Sequence, residues 1–363
     1  MKIHLIANMY PSEEAPSYGV FVKNTEKILE SADVQVDKTV LKKATSKRGK
    51  ITGYAYYFIK ILLKGLVNRY DYTYVHYAAH NSLPLLILKK LKKNIKIVTN
   101  VHGSDVVPEV SSQEKYQKYV KKLLENSYKV ITPSFYYKDL VKEKYRLTST
   151  PIEVFPSGGV NKKIFHPKNN KKELYDVYGL DMDYRYIGFV SRLDVGKGWD
   201  ILLDAISLIK EDPLFKHVKF IIVGDGKDRV QFEKKAKELG IEDRIIRFSL
   251  LPQTSLADIY NCIEIFVFPT MRKGESLGLV GLEAMACGTP VVGSNLGGLK
   301  DYIVEGQNGF LFPPGNSKAL VDKMKQYLLL DTKEKESMVS SSLNKANEYE
   351  VESIKPVLVD IFK

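Results

Sequence analysis

Hydrophobic positions along the chain follow two alternating patterns. Short runs rich in β-branched and aromatic residues are HLIAN (4–8), TYVHY (73–77), IKIVTNV (95–101), KVITP (129–133), YIGFV (186–190), KFIIVG (219–224), IIRF (245–248), IFVFP (265–269) and PVVG (290–293), and amphipathic segments of helical length separate them. Continuous apolar runs bounded by turn residues mark strands buried on both faces, and their alternation with helices predicts βαβ units and parallel sheets. The rhythm breaks once, at residues 156–172 (PSGGVNKKIFHPKNNKK), whose Gly, Pro, Asn and Lys predict a linker between two doubly wound domains. The expected division is 1–165 and 166–349, with a helical end at about 350–363, interrupted by Pro356, available to pack back on the first domain.

The length of 363 residues fits two domains, and 27% charged with 44% hydrophobic residues is a globular composition. No run reaches the roughly 18–20 apolar residues of a bilayer-crossing helix, the run Leu83–Leu91 ending in lysines. Met1–Asn8 is read as a first strand, since Met9-Tyr10-Pro11 follows where a leader peptide would continue its apolar core. Cys262 and Cys287 lack metal or redox spacing and point to a reducing compartment. Charge adds more: residues 1–165 carry 28 Lys/Arg against 14 Asp/Glu, and the remainder 27 against 29, so the first half holds all of the net +12. Such asymmetry points to a polyanionic partner, nucleic acid or an anionic membrane surface.

Two common phosphate-binding signatures fail. Gly224-Asp225-Gly226 lacks the third glycine of a dinucleotide fingerprint, where Arg229 stands, and Gly196-Lys197-Gly198 lacks the hydroxyl residue and first glycine of a P-loop. The pair Asp181/Asp183 sits in a loop at a spacing that chance provides, and no metal site is expected. Residues 268–298 (FPTMRKGESLGLVGLEAMACGTPVVGSNLGG) carry more weight. A strand ends in a polar loop and Gly278 opens an Ala/Leu/Met-rich helix, so the helix N-terminus offers free N–H groups and a positive dipole end to a diphosphate. Glu275 before that helix and Glu283 within it suit hydroxyl groups of a sugar or ribose rather than phosphate, since like charges repel. In residues 188–199 (GFVSRLDVGKGW) a strand delivers Arg192 and a glycine-flanked turn presents Lys197, two cations suited to a diphosphate without metal; an Arg192–Asp194 surface pair is the plain alternative. In the first half, Gly19 in the loop Tyr10–Phe21 permits close backbone approach of a ligand, and His102 in VHGSD (101–105) occupies the rim where parallel sheets bind ligands. Tyr54, Tyr57, Phe58, Ile61, Leu62 and Leu66 recur at helical spacing and read as a core-facing helix; the adjacent lysines keep a membrane-surface role open.

Together GESLGLVGLEAMACGTPVV (274–292), GFVSRLDVGKG (188–198), VGDG (223–226) and VHGSD (101–105) resemble the family 4 glycosyltransferases along nearly the whole chain. The resemblance implies an α/β GT-B fold, two Rossmann-like doubly wound domains facing across a cleft. It implies a retaining, metal-independent hexosyl transfer with no resident cofactor, from a UDP-, GDP- or dTDP-sugar. In that family's pattern Glu275 contacts the donor sugar and Glu283 the ribose, Arg192 and Lys197 grip the diphosphate, and amides at Gly278, Leu279 and Val280 assist. Gly19 corresponds to the amino-terminal glycine loop and His102 lies over the transferred sugar. The sequence departs from the pattern at Tyr18-Gly19, where many relatives have paired glycines, and at Ser157–Asn161 in the linker. The expected role is a cytoplasmic enzyme, peripheral at the inner face of the cell membrane, building a bacterial surface polysaccharide such as capsule or lipopolysaccharide on a lipid-linked acceptor. A sugar-nucleotide epimerase or phosphorylase of the same architecture is the alternative. A nucleic-acid-binding protein is disfavoured because no recognition module accompanies the basic residues.

Overall fold

Each apolar run forms a strand, and in the computed structural model every strand pairing is parallel. The structure describes residues 1–15, 18–44 and 46–363; Pro16 and Ser17 of the Tyr10–Phe21 loop, and Thr45, lie outside the described residues. The chain divides into two units, Met1–Gly159 with Val351–Lys363, and Val160–Glu350.

The first unit contains β1 (Lys2–Tyr10), α1 (Val20–Glu30), β2 (Gln35–Lys42), α2 (Lys47–Val67), β3 (Tyr72–His76), α3 (Ala78–Leu91), β4 (Ile97–Asn100), α4 (Ser111–Glu114), α5 (Gln117–Glu125), β5 (Lys129–Thr132), α6 (Phe135–Tyr145) and β6 (Ile152–Val154). Its strand order is β2-β1-β3-β4-β5-β6. Period-2 alternation sends Ile6 and Val75 to one face, beneath Tyr57, Ile61, Leu88 and Val141 of the helices, and Leu5, Tyr74, Val98 and Ile131 to the other.

The second unit contains α7 (Lys171–Tyr178), β7 (Arg185–Val190), α8 (Trp199–Leu208), β8 (Val218–Val223), α9 (Arg229–Glu238), β9 (Ile245–Phe248), α10 (Gln253–Cys262), β10 (Ile265–Phe268), α11 (Leu279–Ala286), β11 (Val291–Ser294), β12 (Gly309–Phe312), α12 (Ser317–Leu328) and α13 (Thr332–Glu348). The strand order is β12-β11-β10-β7-β8-β9. Phe189, Phe220, Ile222 and Val267 pack beneath Leu202, Phe232 and Met324 on one face, while Tyr186, Ile221, Val223 and Phe266 meet Tyr175, Tyr260, Leu282 and Met285 on the other.

The chain end, α14 (Val351–Ile361), packs in the first unit. Its Ile354, Leu358 and Ile361, with Phe362 beyond it, join the face lined by Tyr74 and Val98, Phe362 meeting the Tyr72 and Tyr74 rings edge-on. Each such side chain is worth about 1.5–3 kcal/mol when fully buried, so a charge at Leu358 would release this segment. The boundary falls after Gly159, earlier than the linker composition placed it at 165, because Val160 and Phe165 are buried in the second unit's core. Three strands carry no clear signal in the sequence pattern: β2, β6 and β12. All three are sheet edges, where a strand is short or half solvated and its alternation is diluted.

Both strand orders reverse direction once. In the second unit β7 leads away through β8 and β9, while β10 leads the opposite way through β11 and β12. The carboxyl ends of β7 and β10 therefore lie at the sheet's switch point, the crevice where open α/β sheets take ligands. The corresponding point in the first unit lies between β1 and β3.

Candidate functional site

At the second unit's crevice, the loop after β7 carries Arg192 and Lys197 and the loop after β10 carries Glu275. Backbone contact locks the two loops together. Met271 N–H donates to the Gly196 carbonyl at 2.8 Å, and Gly198, at φ +81°, lies so close to the Pro269 carbonyl that a Cβ would stand 1.8 Å from its oxygen. No other residue type fits there without moving one loop. A Gly297-Gly298 turn braces Glu275 from behind: Gly298 N–H donates to the Glu275 carbonyl at 3.0 Å, and a Cβ on Gly297 would come within 2.3 Å of the same oxygen.

Lys197 and Glu275 form an ion pair, Nζ to Oε2 at 2.9 Å, with side chains 14% and 13% exposed. The Thr270 hydroxyl also donates to Oε2, at 3.3 Å. Burial alone would push the Glu275 carboxyl up; the charge and hydrogen bond of Lys197, the charge of Arg272 and the Thr270 hydroxyl outweigh it and hold the group below the usual carboxylate range. Arg192, in contrast, is 63% exposed and pairs with Asp194 at 2.8 Å. The surface pair set out as the plain alternative is thus present, and Arg192 and Lys197 each hold a different carboxylate.

Two helices begin at this crevice without side-chain caps. α8 starts on Gly198 and α11 on Gly278, both glycines left-handed (φ +81° and +83°). Helix geometry leaves first-turn N–H groups such as those of Leu279 and Val280 without intrahelical acceptors, and the positive dipole ends add to the lysine. Glu283, one turn into α11, is half-buried. Burial pushes its carboxyl up to about 7, against a smaller lowering by the Tyr260 hydroxyl. A site with one ionised carboxylate, one half protonated near pH 7, a buried lysine and two helix N-termini can hold an anion beside hydroxyl groups. The Asp181/Asp183 pair serves a turn instead, Asp183 N–H donating to the Asp181 carboxylate at 2.9 Å.

In the first unit, His102 follows β4 and its Nε2 lies 3.0 Å from Nδ1 of His76 at the end of β3, the two rings stacked at 5.1 Å. Burial pushes His102 down to about 3, and burial with the neighbouring His102 puts His76 well below its ordinary value, so both imidazoles are neutral and the N–H of one donates to the bare nitrogen of the other. Asp105, fully buried, fixes the turn: Oδ1 accepts from His102 N–H (3.0 Å) and Gly103 N–H (2.8 Å), and Oδ2 from Ala78 N–H (2.9 Å). Gly19 caps α1 at φ +77°, and a Cβ there would meet the Met9 carbonyl at 2.7 Å. The close approach that Gly19 permits is therefore to the chain's own backbone.

Sequence reasoning missed Thr270, the Gly297-Gly298 brace and His76. Thr270 follows its strand directly, but only the β7–β10 pairing shows what its hydroxyl meets. His76 falls within the buried run TYVHY, where its polarity is the available signal.

Comparison with known proteins adds identity to this geometry. The chain matches the family model Glycosyltransferase Family 4 over residues 2–159 and Glycosyl transferases group 1 over residues 170–344. It is 26% identical over 259 residues to N-acetyl-alpha-D-glucosaminyl L-malate synthase of Bacillus anthracis, covering 71% of this chain and 65% of that one. It is 34% identical over 191 residues to D-inositol 3-phosphate glycosyltransferase of Corynebacterium urealyticum, covering 51% and 44%. The chain thus spans under two thirds of the length of these curated relatives. Among solved structures, sucrose-phosphate synthase from Thermosynechococcus elongatus superposes with a TM-score of 0.83 at 20% identity, over 100% of this chain and 98% of that one. The Anabaena protein HepE in complex with UDP superposes with a TM-score of 0.76 at 19% identity, over 99% of each. These likenesses show a GT-B fold. Since the two family models divide the chain where the fold itself divides, and between them run from residue 2 to residue 344, this chain belongs to the family 4, group 1 glycosyltransferases.

Proposed function

We propose that the chain transfers a hexose, with retention and without metal, from a nucleoside-diphosphate sugar to a lipid-linked glycan acceptor in bacterial surface polysaccharide synthesis, working at the cytoplasmic membrane surface. The Lys197–Glu275 pair, set between two uncapped helix N-termini at the sheet's switch point, carries this reading. In the proposed step the acceptor hydroxyl oxygen bonds to the anomeric carbon as the bond from that carbon to the diphosphate oxygen breaks. The electron pair leaves with the diphosphate, and the hydroxyl proton passes to a leaving phosphate oxygen on the same face. Negative charge growing on the diphosphate is met by Lys197, by Arg192 after it leaves Asp194, and by the amides of Gly278, Leu279 and Val280; such preorganised charge is worth several kcal/mol in a transition state. Glu275 accepts hydroxyl hydrogen bonds of the sugar, which Lys197 positions it to do, and Glu283 accepts from the ribose. The family pattern also gives neutral His102 a part in handling the sugar, while Gly19 holds its loop against β1. HepE, a structural neighbour, was solved with UDP and with UDP-glucose, which puts UDP-sugars first among donors to try.

The experiment is donor hydrolysis and transfer measured with UDP-, GDP- and dTDP-sugars on wild type, Glu275→Ala and Lys197→Ala. Loss of about 100-fold or more in kcat/KM in folded variants is expected, as for removal of a transition-state charge partner. Full donor turnover by both variants would dismiss the assignment.

A further inference from the structure

α2 is apolar on two sides. Tyr57 and Ile61 are buried against the sheet, while Ile51 (66%), Tyr56 (66%), Ile59 (55%), Leu63 (59%), Leu66 (41%) and Val67 (79%) are exposed. At 100° per residue the exposed set occupies an arc of about 160° opposite Tyr57 and Ile61. Leu66, expected among the core-facing positions, belongs to this outer side. α3 lies beside α2, with Gly65 against Leu88, and exposes a stripe of its own at i, i+4, i+8: Leu83, Ile87 and Leu91. Exposed apolar side chains are ordinary when scattered; nine on two adjacent helices form a surface that asks for a partner.

The charge around this surface selects the partner. Residues 38–104 hold 14 Lys/Arg and a single acidic residue, Asp71, so neither helix contains a carboxylate. Exposed Arg48, Lys50, Lys90 and Lys93 flank the apolar stripe, and Lys60 lies at its edge beside the Tyr56 ring. A second copy of this chain would set lysines against lysines. Nucleic acid would satisfy the lysines and leave Ile59, Leu63 and Val67 in water. An anionic bilayer answers both, its headgroups meeting the cations while the side chains enter the acyl boundary. No helix among the described residues is long and apolar enough to cross. α2, 21 residues and about 30 Å long, is suited to lie in the interfacial plane with its lysine stems reaching out to the headgroups.

We propose that the outer faces of α2 and α3 form the surface by which this protein sits on an anionic bilayer, with Tyr56, Ile59, Leu63 and Val67 inserted. The proposal deepens the membrane part of the function given above and rests on it. The full chain is tested by flotation with phosphatidylcholine vesicles with and without phosphatidylglycerol. Binding is expected to require the anionic lipid, to weaken with salt, and to fall about tenfold per inserted residue in Ile59→Asp and in Leu63→Asp. In Tyr56→Trp, a conservative change, brominated lipid should quench the new tryptophan. Equal binding by wild type and the aspartate variants, an unquenched Tyr56→Trp, or loss of apolar exposure through self-association without lipid would each overturn the proposal. Donor hydrolysis without vesicles separates the two readings: it stays unchanged in the Asp variants if only the surface is affected, whereas its absence in wild type strikes at the transferase reading instead.

Discussion

Removing the Lys197 ammonium gives the most informative perturbation, because the structure predicts opposite consequences for stability and for activity when its partner is removed as well. Lys197 and Glu275 are each more than four-fifths buried and 2.9 Å apart. Deleting one member of a buried pair leaves a desolvated charge and costs about 3–5 kcal/mol; the residual exposure puts Lys197→Ala at the low end, about 3 kcal/mol. For a unit of this size that is a fall in Tm of roughly 6–12 °C. Glu275, with its carboxyl held down, contributes stability above the ordinary carboxylate pKa that is lost as pH falls through its lowered folded value. In Lys197→Ala burial acts with less opposition, the carboxyl titrates higher, and protonation relieves the unpaired charge. The gap to wild type is therefore widest near pH 7 and narrows toward pH 4. Adding Glu275→Gln to Lys197→Ala removes the buried charge and recovers most of the stability while leaving the enzyme inactive. The assay is urea unfolding followed by Trp199, the single tryptophan, which is buried in the second unit's core and so reports that unit alone. A Lys197→Ala midpoint equal to wild type at pH 7, a gap that does not change with pH, or a double variant no more stable than the single would refute the reasoning.

Other expectations follow from single contacts. Gly198→Ala places a methyl 1.8 Å from the Pro269 oxygen at φ +81°, and should lower the second unit's stability by 2 kcal/mol or more, on the order set by backbone strain plus loop displacement, as read by the same unfolding assay. Glu283, pushed up to about 7, is half protonated at neutral pH, so ribose hydrogen bonding and UDP affinity should strengthen from pH 6 to 8 in wild type and stay flat in Glu283→Gln, by calorimetric titration. The same raised carboxyl favours the folded state below its ordinary value and loses that contribution as pH rises through 7, a slope that Glu283→Gln should remove from urea midpoints. Asp105→Asn puts an amide where three backbone N–H groups need acceptors, and should cost about 2–3 kcal/mol in thermal melts of the first unit by circular dichroism.

What the sequence reveals and what it hides divide along a physical line. Central strands such as IFVFP and KFIIVG are buried on both faces and advertise themselves as unbroken apolar runs, whereas β2 (QVDKTVLK) mixes charged residues into a sheet edge and offers no such run. Gly278 was legible as a helix opening because left-handed caps favour glycine, whereas Gly198 read only as part of a turn. The Lys197–Glu275 pair was not, since the residues lie 78 positions apart and only the adjacency of β7 and β10 joins them. The Arg192–Asp194 pair was legible as the plain alternative, because the two residues stand two positions apart in one turn. On α2 the inward apolar positions were legible by their spacing, except Leu66, which burial puts on the outer side.

The central claim, that the crevice between β7 and β10 holds a nucleoside-diphosphate sugar, is tested most directly by calorimetric titration of the full chain with UDP-, GDP- and dTDP-sugars, wild type beside Lys197→Ala. The account predicts saturable binding of at least one donor without added metal, weakened about tenfold or more in the variant as one charged phosphate contact is lost. Binding of none of them, or binding that Lys197→Ala leaves untouched, would contradict it.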